Sequence, residues 1–252
     1  MPGTKTTAAV SRGPTRLQLS LQHAAADREG GSPSVGQWIQ FRNSELAESV
    51  AGSGSDFVII DCERSHINTP ADLSLVVEAV VAAGSSPIVR VLASQPKRIR
   101  WAQDSGAHGV MVAMCETKAQ AERIVVATGC PSPRFVVIVE IDSQKAVENV
   151  DGIASIAGID ALFVGAHLSS SPDSDAVLAA AHRHAKFPGH FAADADTAVA
   201  LVRRGWQFVN CGGADLQAIE ELERMRRTLV GMRASPPPIE GDEYEWDGKD
   251  WG

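Results

Sequence analysis

Residues 135–142 have the sequence FVVIVEID, and this stretch decides the fold class. It is a short apolar run, rich in β-branched valine and isoleucine, with polar residues only near its end. A strand that is apolar on both faces is typical of a parallel sheet covered by helices. The run therefore predicts one buried strand of an α/β fold.

Seven further runs of this kind occur along the chain, and helical patterns separate them. The runs are VGQWIQF (35–41), FVIID (57–61), PIVRVL (87–92), GVMVAM (109–114), ALFVGA (161–166), HFAAD (190–194) and FVNCGG (208–213). Helices are predicted at 44–50, 71–83, 95–105, 117–128, 143–157, 175–186, 195–204 and 216–232. Eight strand–helix units in about 200 residues predict a closed (β/α)8 TIM barrel over residues 35–232. A doubly wound open sheet is the alternative, and the lack of a GxGxxG turn after the first run disfavours it.

Both ends of the chain differ in composition from the barrel. Residues 1–34 are rich in Gly, Ser, Thr and Pro, which predicts a disordered N-terminal arm. Residues 233–252 begin with a proline cluster and become acidic, which predicts a disordered tail. The three ranges give one folded domain with two flexible extensions.

The net charge of −8 lies mostly in that tail. The last 14 residues, IEGDEYEWDGKDWG, carry six acidic residues and one lysine, so the remainder of the chain is close to neutral. This balance disfavours nucleic acid and anionic membrane as partners, and no apolar stretch reaches the length of a membrane span. Four scattered cysteines without a CxxC pair fit a reducing compartment, so a cytoplasmic location is predicted.

Polar residues cluster where the predicted strands end. In a barrel of this type, chemistry gathers at the C-terminal ends of the strands. The candidates there are Asp61, Glu63, Arg64 and His66 after the second run, Arg90 within the third, Glu140 and Asp142 in the fifth, and Gly165, Ala166 and His167 after the sixth. Three histidines, His182, His184 and His190, fall away from these ends and are expected at the surface or between subunits.

The carboxylates of Glu140 and Asp142 are two residues apart, so both face one side of a regular strand. Two such groups repel each other unless they share a cation or a proton. With the imidazole of His167 from the next strand, they form a candidate divalent-metal site. Alternatively, only Asp142 lies at the mouth and Glu140 pairs with Arg90 deeper in the barrel, since an arginine in an apolar run needs an anion, either from the protein or from a substrate.

Four separated stretches carry a family resemblance. GQWIQFRNSELAESVAGSGSDFVIIDCE, PIVRV, VEIDSQKAVEN and GIDALFVGAHLSSS occur in the order seen in the HpcH/HpaI aldolase/citrate lyase family, which the chain resembles over about residues 35–230. The resemblance implies a metal-dependent aldolase or lyase that binds a pyruvate-like 2-oxo acid on Mg²⁺, Mn²⁺ or Co²⁺. It also implies a homo-oligomer, a trimer or a hexamer, whose subunits exchange their last helix.

The resemblance carries residue roles only where the motifs match. Typical members have Asp-x-Glu-His after the second strand, with the histidine as base and the aspartate orienting it. Asp61 and Glu63 match this motif, whereas Arg64 occupies the histidine position. An arginine on the third strand, here Arg90, neutralises developing negative charge. A Gln-x-Glu motif on the fifth strand supplies a metal carboxylate, and its counterpart here is Glu140-Ile141-Asp142.

Two further differences fall near the expected pocket. The family's Gly-Pro-x-Asp-Leu-Ser after the sixth strand is replaced by Gly165-Ala166-His167, with Gly165 and Ala166 expected to contact substrate. The Arg- and Gly-rich loop before the fifth strand is missing, and residues 130–134 make that connection directly.

The replaced histidine moves the proton-transfer role elsewhere. Arg64 cannot act as a base near neutral pH, so it is expected to bind a substrate carboxylate or to pair with Glu63 or Asp142. His66 is the candidate base because imidazole titrates near neutrality, and its alternatives are to cap the next helix or to face solvent. A site of Glu140, Asp142 and His167 would favour Mn²⁺, Fe²⁺, Co²⁺ or Zn²⁺ over Mg²⁺.

The sequence thus predicts a divergent lyase acting on a 2-oxo acid or related carboxylate by aldol cleavage, C–C bond formation or decarboxylation. Two alternatives remain open. One is a metal-free barrel that performs a cyclisation or dehydration in secondary metabolism, with Arg64 and Arg90 stabilising negative charge. The other is a catalytically inactive scaffold subunit of a mixed oligomer.

Overall fold

The computed structural model describes residues 13–26, 32–129, 134–212, 224–225 and 227–229. Eight strands form a closed parallel barrel in chain order, with the eighth paired to the first. They are β1 (Ser34–Ile39), β2 (Phe57–Asp61), β3 (Ser86–Leu92), β4 (Gly109–Ala113), β5 (Val136–Ile141), β6 (Ala161–Val164), β7 (Phe187–Ala192) and β8 (Phe208–Cys211). The predicted (β/α)8 barrel is confirmed.

The first helix precedes the barrel strands, and the other helices connect the strands and cover the outside of the barrel. They are α1 (Arg16–Ala26), α2 (Ser44–Gly52), α3 (Pro70–Ala82), α4 (Pro96–Asp104), α5 (Lys118–Ala127), α6 (Gln144–Glu148), α7 (Val150–Ala154), α8 (Ser174–Arg183) and α9 (Ala195–Arg203). Several helices begin after a residue whose side chain accepts a hydrogen bond from a backbone N–H group of the first turn, for example Thr69 at α3 and Asp194 at α9. The helix predicted at 143–157 is divided into α6 and α7 at Asn149, whose backbone is not helical.

The seventh strand begins earlier than predicted. It starts at Phe187 rather than at His190, because Phe187-Pro188-Gly189 pairs with β6. Proline and glycine weigh against a strand in a sequence pattern, yet the carbonyl of Pro188 accepts a hydrogen bond from Gln207. His190 consequently lies within the strand and is fully buried against Trp206, with ring centroids 4.6 Å apart. Its expected surface position is wrong.

Aromatic rings fill the lower part of the barrel interior. Phe57 and Phe208 lie 4.2 Å apart between ring centroids, and Phe163 meets Phe208 edge-on at 5.6 Å. Gly36 and Gly189 leave room for these rings, since a Cβ at either position would lie within 2.5 Å of a phenylalanine ring atom. The interior is therefore packed solid below the carboxyl ends of the strands, and polar chemistry is confined to the mouth.

The N-terminal helix α1 closes the opposite end of the barrel. Leu17 and Leu21 on α1 are fully buried and join the interior cluster that contains Phe57 and Phe208. The Oγ atoms of Ser20 and Ser34 are 2.7 Å apart and tie α1 to the start of β1. The predicted disorder of residues 1–34 is therefore wrong for residues 16–26, because two leucines four residues apart place one apolar face of the helix on the barrel floor.

Other predictions concern residues that the structure leaves undescribed. The acidic tail at 233–252 and the connection at 130–133 lie outside the described residues, as does most of the last predicted helix. Exchange of that helix between subunits stays a prediction. Among the described residues, no helix is long and apolar enough to cross a membrane.

Candidate active site

An arginine occupies the centre of the barrel mouth. Arg90 on β3 points into the barrel interior and is 4% exposed. Its Nη2 donates to Asp61 Oδ2 at 2.7 Å and its Nε donates to Asp61 Oδ1 at 3.2 Å. The guanidinium lies over the ring of Trp38, 4.6 Å from the ring centroid. Because Asp61 and Arg90 are paired across β2 and β3, the two-point contact follows directly from strand register.

Two more carboxylates share the same guanidinium. Arg90 Nη1 lies 3.0 Å from Glu63 Oε2 and 3.3 Å from Glu140 Oε2. Glu140, on β5, is 2% exposed and lies below the level of Asp142, which follows the strand. This confirms the alternative in which Glu140 pairs with Arg90 inside the barrel. The negative charge that Arg90 stabilises here belongs to the protein's own carboxylates, and its predicted role toward substrate charge stays a prediction.

Asp61 accepts hydrogen bonds from several directions. Besides Arg90, its donors are Trp38 Nε1 at 3.3 Å, Gln40 Nε2 at 3.1 Å, and the backbone N–H groups of Glu63 and Arg64 at 2.8 and 3.0 Å. Burial alone would raise the pKa of Asp61, but the bond and charge of Arg90 outweigh it and the pKa lies below its usual value. Asp61 is a fixed anion that orders the loop after β2.

Trp38 and Gln40 are site residues that the sequence analysis did not select. Both belong to the first apolar run, where alternate positions face the barrel interior together with Gly36. Because alternate residues of a strand face the same side, this pattern could have identified Trp38 and Gln40 from the sequence. A tryptophan and a glutamine at inward positions near the end of a barrel strand indicate mouth residues.

The pKa of the Glu140 carboxyl group is raised by its surroundings. Burial raises its pKa to about 7, against the lowering effect of Arg90, and the charge of Asp142 adds to the rise. Glu140 therefore binds a proton at a higher pH than an ordinary glutamate does.

Asp142 presents a buried oxygen that no described residue satisfies. Its Oδ1 is inaccessible to solvent and receives no hydrogen bond. A Cβ built on Gly165 would lie 2.6 Å from this Oδ1 and 2.8 Å from Glu140 Oε1. The two carboxyl groups therefore pack against the Cα of Gly165, and the Cβ of any other residue at this position would clash with them. A buried carboxylate oxygen in this position requires a cation or a shared proton.

The imidazole of His167 contacts Arg64, and none of the described contacts joins it to Glu140 or Asp142. It lies in a short 3₁₀ helix, Ala166–Leu168, and both Ala166 and His167 are exposed. Its Nε2 is 3.4 Å from Arg64 Nη2, and since a guanidinium only donates, Nε2 is the acceptor. Among the described residues, no three His, Cys, Asp or Glu side chains are arranged to hold a metal ion. Of the predicted trio, the structure brings together Glu140 and Asp142.

Arg64 bridges His167 and Glu63 at the rim of the mouth. Its Nε is 3.5 Å from Glu63 Oε1, and half of its side-chain surface is exposed. Of the two protein partners predicted for Arg64, Glu63 is the one observed. Both contacts are long for hydrogen bonds, so the guanidinium is loosely held.

His66 lies apart from this group. It is exposed and lines a surface cavity of about 550 Å³ with Phe41, Arg42, Asn43 and Leu46. This cavity borders the loop after β1, and none of the described contacts joins His66 to Arg90, Glu140 or Asp142. The structure therefore does not bring the predicted base to the site.

Cys62 is the other reactive residue type in the loop after β2. It is buried among the side chains between barrel and helices, and burial raises the pKa of its thiol to about 12. Such a thiol is a poor nucleophile, as expected for a packing residue at the end of a strand.

The chain has relatives among known proteins. A family model described as HpcH/HpaI aldolase/citrate lyase matches residues 34–219. A 2-keto-3-deoxy-L-rhamnonate aldolase of Klebsiella pneumoniae is 27% identical over 247 residues, covering 82% of this chain and 92% of that protein. An aldolase of the same name from Salmonella gallinarum is 29% identical over 169 residues, covering 56% of this chain and 63% of its own length.

Solved structures agree with these matches. An HpcH/HpaI aldolase/citrate lyase family protein from Burkholderia cenocepacia superimposes with a TM-score of 0.69 at 27% identity, covering 86% of this chain and 99% of that one. Macrophomate synthase superimposes with a TM-score of 0.69 at 22% identity, covering 88% of this chain and 90% of that one. At that identity, macrophomate synthase supports the fold alone.

Proposed function

The chain belongs to the HpcH/HpaI aldolase/citrate lyase family, and from this premise we propose that it breaks or forms the C3–C4 bond of a 2-oxo carboxylic acid, through an enolate. The name of the Klebsiella relative specifies a 2-keto-3-deoxy sugar acid. The proposed substrates are accordingly 3-deoxy-2-oxo acids with a hydroxyl group at C4, which cleave to pyruvate and an aldehyde.

The observation that carries the proposal is the unsatisfied Oδ1 of Asp142 beside Glu140 on the Cα of Gly165. Two neighbouring buried carboxyl groups, one of them with an unsatisfied oxygen, suit a hard divalent cation with oxygen ligands. Asp142 and Glu140 would hold that cation. A divalent cation bound there would supply Lewis-acid stabilisation of the enolate oxygen.

The surrounding charges support the same assignment. Three carboxyl groups, those of Asp61, Glu63 and Glu140, pair with the buried guanidinium of Arg90, and the charge of a fourth, Asp142, acts on Glu140. This excess of negative charge attracts a cation and opposes entry of a carboxylate substrate without one. Arg90 keeps three of the four groups in fixed positions, which is the preorganisation that enolate stabilisation requires.

Arg64 is the group proposed to receive the substrate carboxylate. It lies at the rim, half exposed, and its contacts to His167 and Glu63 are 3.4 and 3.5 Å long. A substrate carboxylate can accept two short charge-assisted bonds from one guanidinium. Arg64 would then replace its two long contacts with two short hydrogen bonds to the substrate, which favours binding of the carboxylate at the rim.

The proposal is tested by cleavage assays on metal-depleted protein. Purified protein is treated with a chelator, supplied with Mg²⁺, Mn²⁺ or Co²⁺, and offered 2-keto-3-deoxy sugar acids, and released pyruvate is measured with a coupled dehydrogenase. Metal-dependent release is expected. Oxaloacetate decarboxylation is measured in parallel as a simpler enolate-forming reaction.

Three results separate the possible functions. Metal-dependent release supports the proposal, whereas equal release with chelator present contradicts the role of the metal. No turnover of any of these acids, with or without metal, contradicts the proposal and leaves the cyclisation or dehydration alternative and the scaffold alternative.

We further propose that the protein assembles as a homo-oligomer, a trimer or a hexamer, by exchange of the helix predicted at 216–232. Light scattering during gel filtration tests the assembly, and a monomeric mass would contradict it. Truncation before residue 216 is expected to yield a monomer.

A further inference from the structure

The proposed reaction needs a group that accepts and returns a proton, and most candidates at the mouth are otherwise engaged. A base must come within hydrogen-bond reach of the proton that it removes. Asp61 already accepts from Arg90 and four other donors. Glu63 is ion-paired with both Arg90 and Arg64. Both carboxyl groups are thus held in place by their partners in the protein.

Glu140 is the strongest competitor, because its carboxyl group titrates near neutrality. It lies on β5, two residues before Asp142, is 2% exposed and faces Arg90. A substrate at the mouth meets Asp142 before it meets Glu140. The position of Glu140 suits a ligand under the substrate better than a base beside it.

Among the described histidines, His167 is the one whose position suits the task. A Cβ built on Gly165 would clash with both candidate cation ligands, so the glycine lies beside them, and the 3₁₀ helix that carries His167 begins at the next residue. His66 lines the separate cavity near Phe41. The remaining described histidines are His23 on α1, His108 before β4, His182 and His184 at the end of α8, and His190 buried in β7.

The contact between Arg64 and His167 assigns the role of the ring nitrogen. A guanidinium N–H can only donate, so Nε2 of His167 is the acceptor in this 3.4 Å contact. Arg64 is the charged group in contact with this imidazole, and Glu63 lies behind it at 3.5 Å from Arg64 Nε. When Arg64 turns to bind an anion, the lone pair on Nε2 becomes free at the mouth.

We propose that His167 is the proton-transferring group of this enzyme and that Arg64 occupies its Nε2 until a substrate carboxylate draws the guanidinium away. The inference rests on the proposed function. In cleavage, Nε2 takes the proton of the C4 hydroxyl while the C3–C4 bond breaks, its electron pair forming the enolate and C4 leaving as the aldehyde. The imidazolium then returns the same proton to C3, which gives pyruvate and neutral His167.

The proton-transfer half of the reaction can be measured alone. Pyruvate is incubated with the protein and Mg²⁺, Mn²⁺ or Co²⁺ in deuterated water, and mass spectrometry follows deuterium entry at C3. The H167N variant is expected to slow this exchange at least about 100-fold, the usual contribution of a general base. Its affinity for Mn²⁺ and for pyruvate should stay within about threefold of wild type, because the imidazole binds neither in this mechanism.

Matched variants make the assignment specific. H182N removes an exposed histidine on α8 and should leave the exchange rate unchanged. R64A should raise the dissociation constant of pyruvate while leaving exchange at saturating pyruvate closer to wild type than H167N does. Added imidazole should restore part of the exchange in H167A, which a purely structural role would not predict.

Each contrary result has a definite meaning. Exchange in H167N at the wild-type rate overturns the inference alone, as does a loss that appears in E140Q or H66N but not in H167N. Loss of Mn²⁺ binding in H167N would make His167 a metal ligand and also overturn it. No exchange by wild type with any of the three metals removes the proposed function and this inference together.

Discussion

Arg90 donates two hydrogen bonds to Asp61, from Nη2 to Oδ2 at 2.7 Å and from Nε to Oδ1 at 3.2 Å, and both side chains are buried inside the barrel. The same guanidinium pairs with Glu63 and Glu140. One cation thus holds three carboxylates together. Its removal would leave them buried and mutually repulsive.

The R90A variant is therefore expected to lose about 3–5 kcal/mol of unfolding free energy, as buried ion pairs do when one partner is deleted. Urea titration followed by circular dichroism measures the change. R90K should recover part of the loss, because an ammonium supplies charge without the two-point geometry. R183A, which breaks an exposed pair with Asp151, should change little, and a similarly stable R90A would contradict the account.

Glu140 makes stability depend on pH. Its native pKa of about 7 lies above the ordinary value of 4.5, so the native state binds more protons than the unfolded state between these values. The stability contributed by the protonated form is present below about pH 4.5 and is lost as pH rises toward 7. E140Q keeps an uncharged group there, so its stability relative to wild type should increase from pH 5 to pH 8.

Urea titrations of both proteins across that range, with chelator present, test this prediction. The side-chain amide that E140Q introduces can also donate to Asp142 where the proton of Glu140 would. Parallel stability profiles for the two proteins would show that Glu140 does not titrate in this window.

The bare Cα of Gly165 is needed for the carboxylate pair. A methyl group there would lie 2.6 Å from Asp142 Oδ1 and 2.8 Å from Glu140 Oε1, so G165A should displace both groups and weaken Mn²⁺ binding at least tenfold. G152A on α7 is the matched control, because its new methyl group would have no neighbour nearer than 3.5 Å. Calorimetric titration with Mn²⁺ compares the two, and equal affinities would remove Gly165 from the site.

The floor formed by α1 should contribute strongly to stability. L17A or L21A removes a fully buried side chain and is expected to cost about 2–5 kcal/mol. L19A lies on the same helix at 41% exposure and should cost far less. Equal effects of the three substitutions on urea unfolding would mean that α1 does not pack as described.

The fold could be predicted from sequence because apolar runs such as 135–142 are distinct at every strand. Two elements of the fold could not be predicted from the sequence. The helix α1 depends on Leu17 and Leu21 within a stretch whose composition favours disorder, and only the barrel floor gives those leucines a partner. The start of β7 contains Pro188 and Gly189, which a closed barrel accepts because Phe208 fills the space beside the glycine.

The site could be predicted only in part. Strand register brings Asp61 to Arg90, and the alternation that runs through β5 to the residue after it places Glu140 and Asp142 on one side, so those residues could be selected in advance. The orientations of Arg64, His66 and His167 could not, because loops and a short 3₁₀ helix carry them. No periodicity constrains such segments, and the contact between Arg64 and His167 joins positions 103 residues apart.

The central claim is that Asp142 holds a divalent cation, and Mn²⁺ titration of metal-depleted protein tests it most directly. The account predicts one Mn²⁺ per chain in wild type and at least tenfold weaker binding in D142N. E116Q, which alters a carboxylate already paired with Lys145, should bind Mn²⁺ as wild type does. Absence of Mn²⁺ binding in wild type, or equal binding by wild type and D142N, would contradict it.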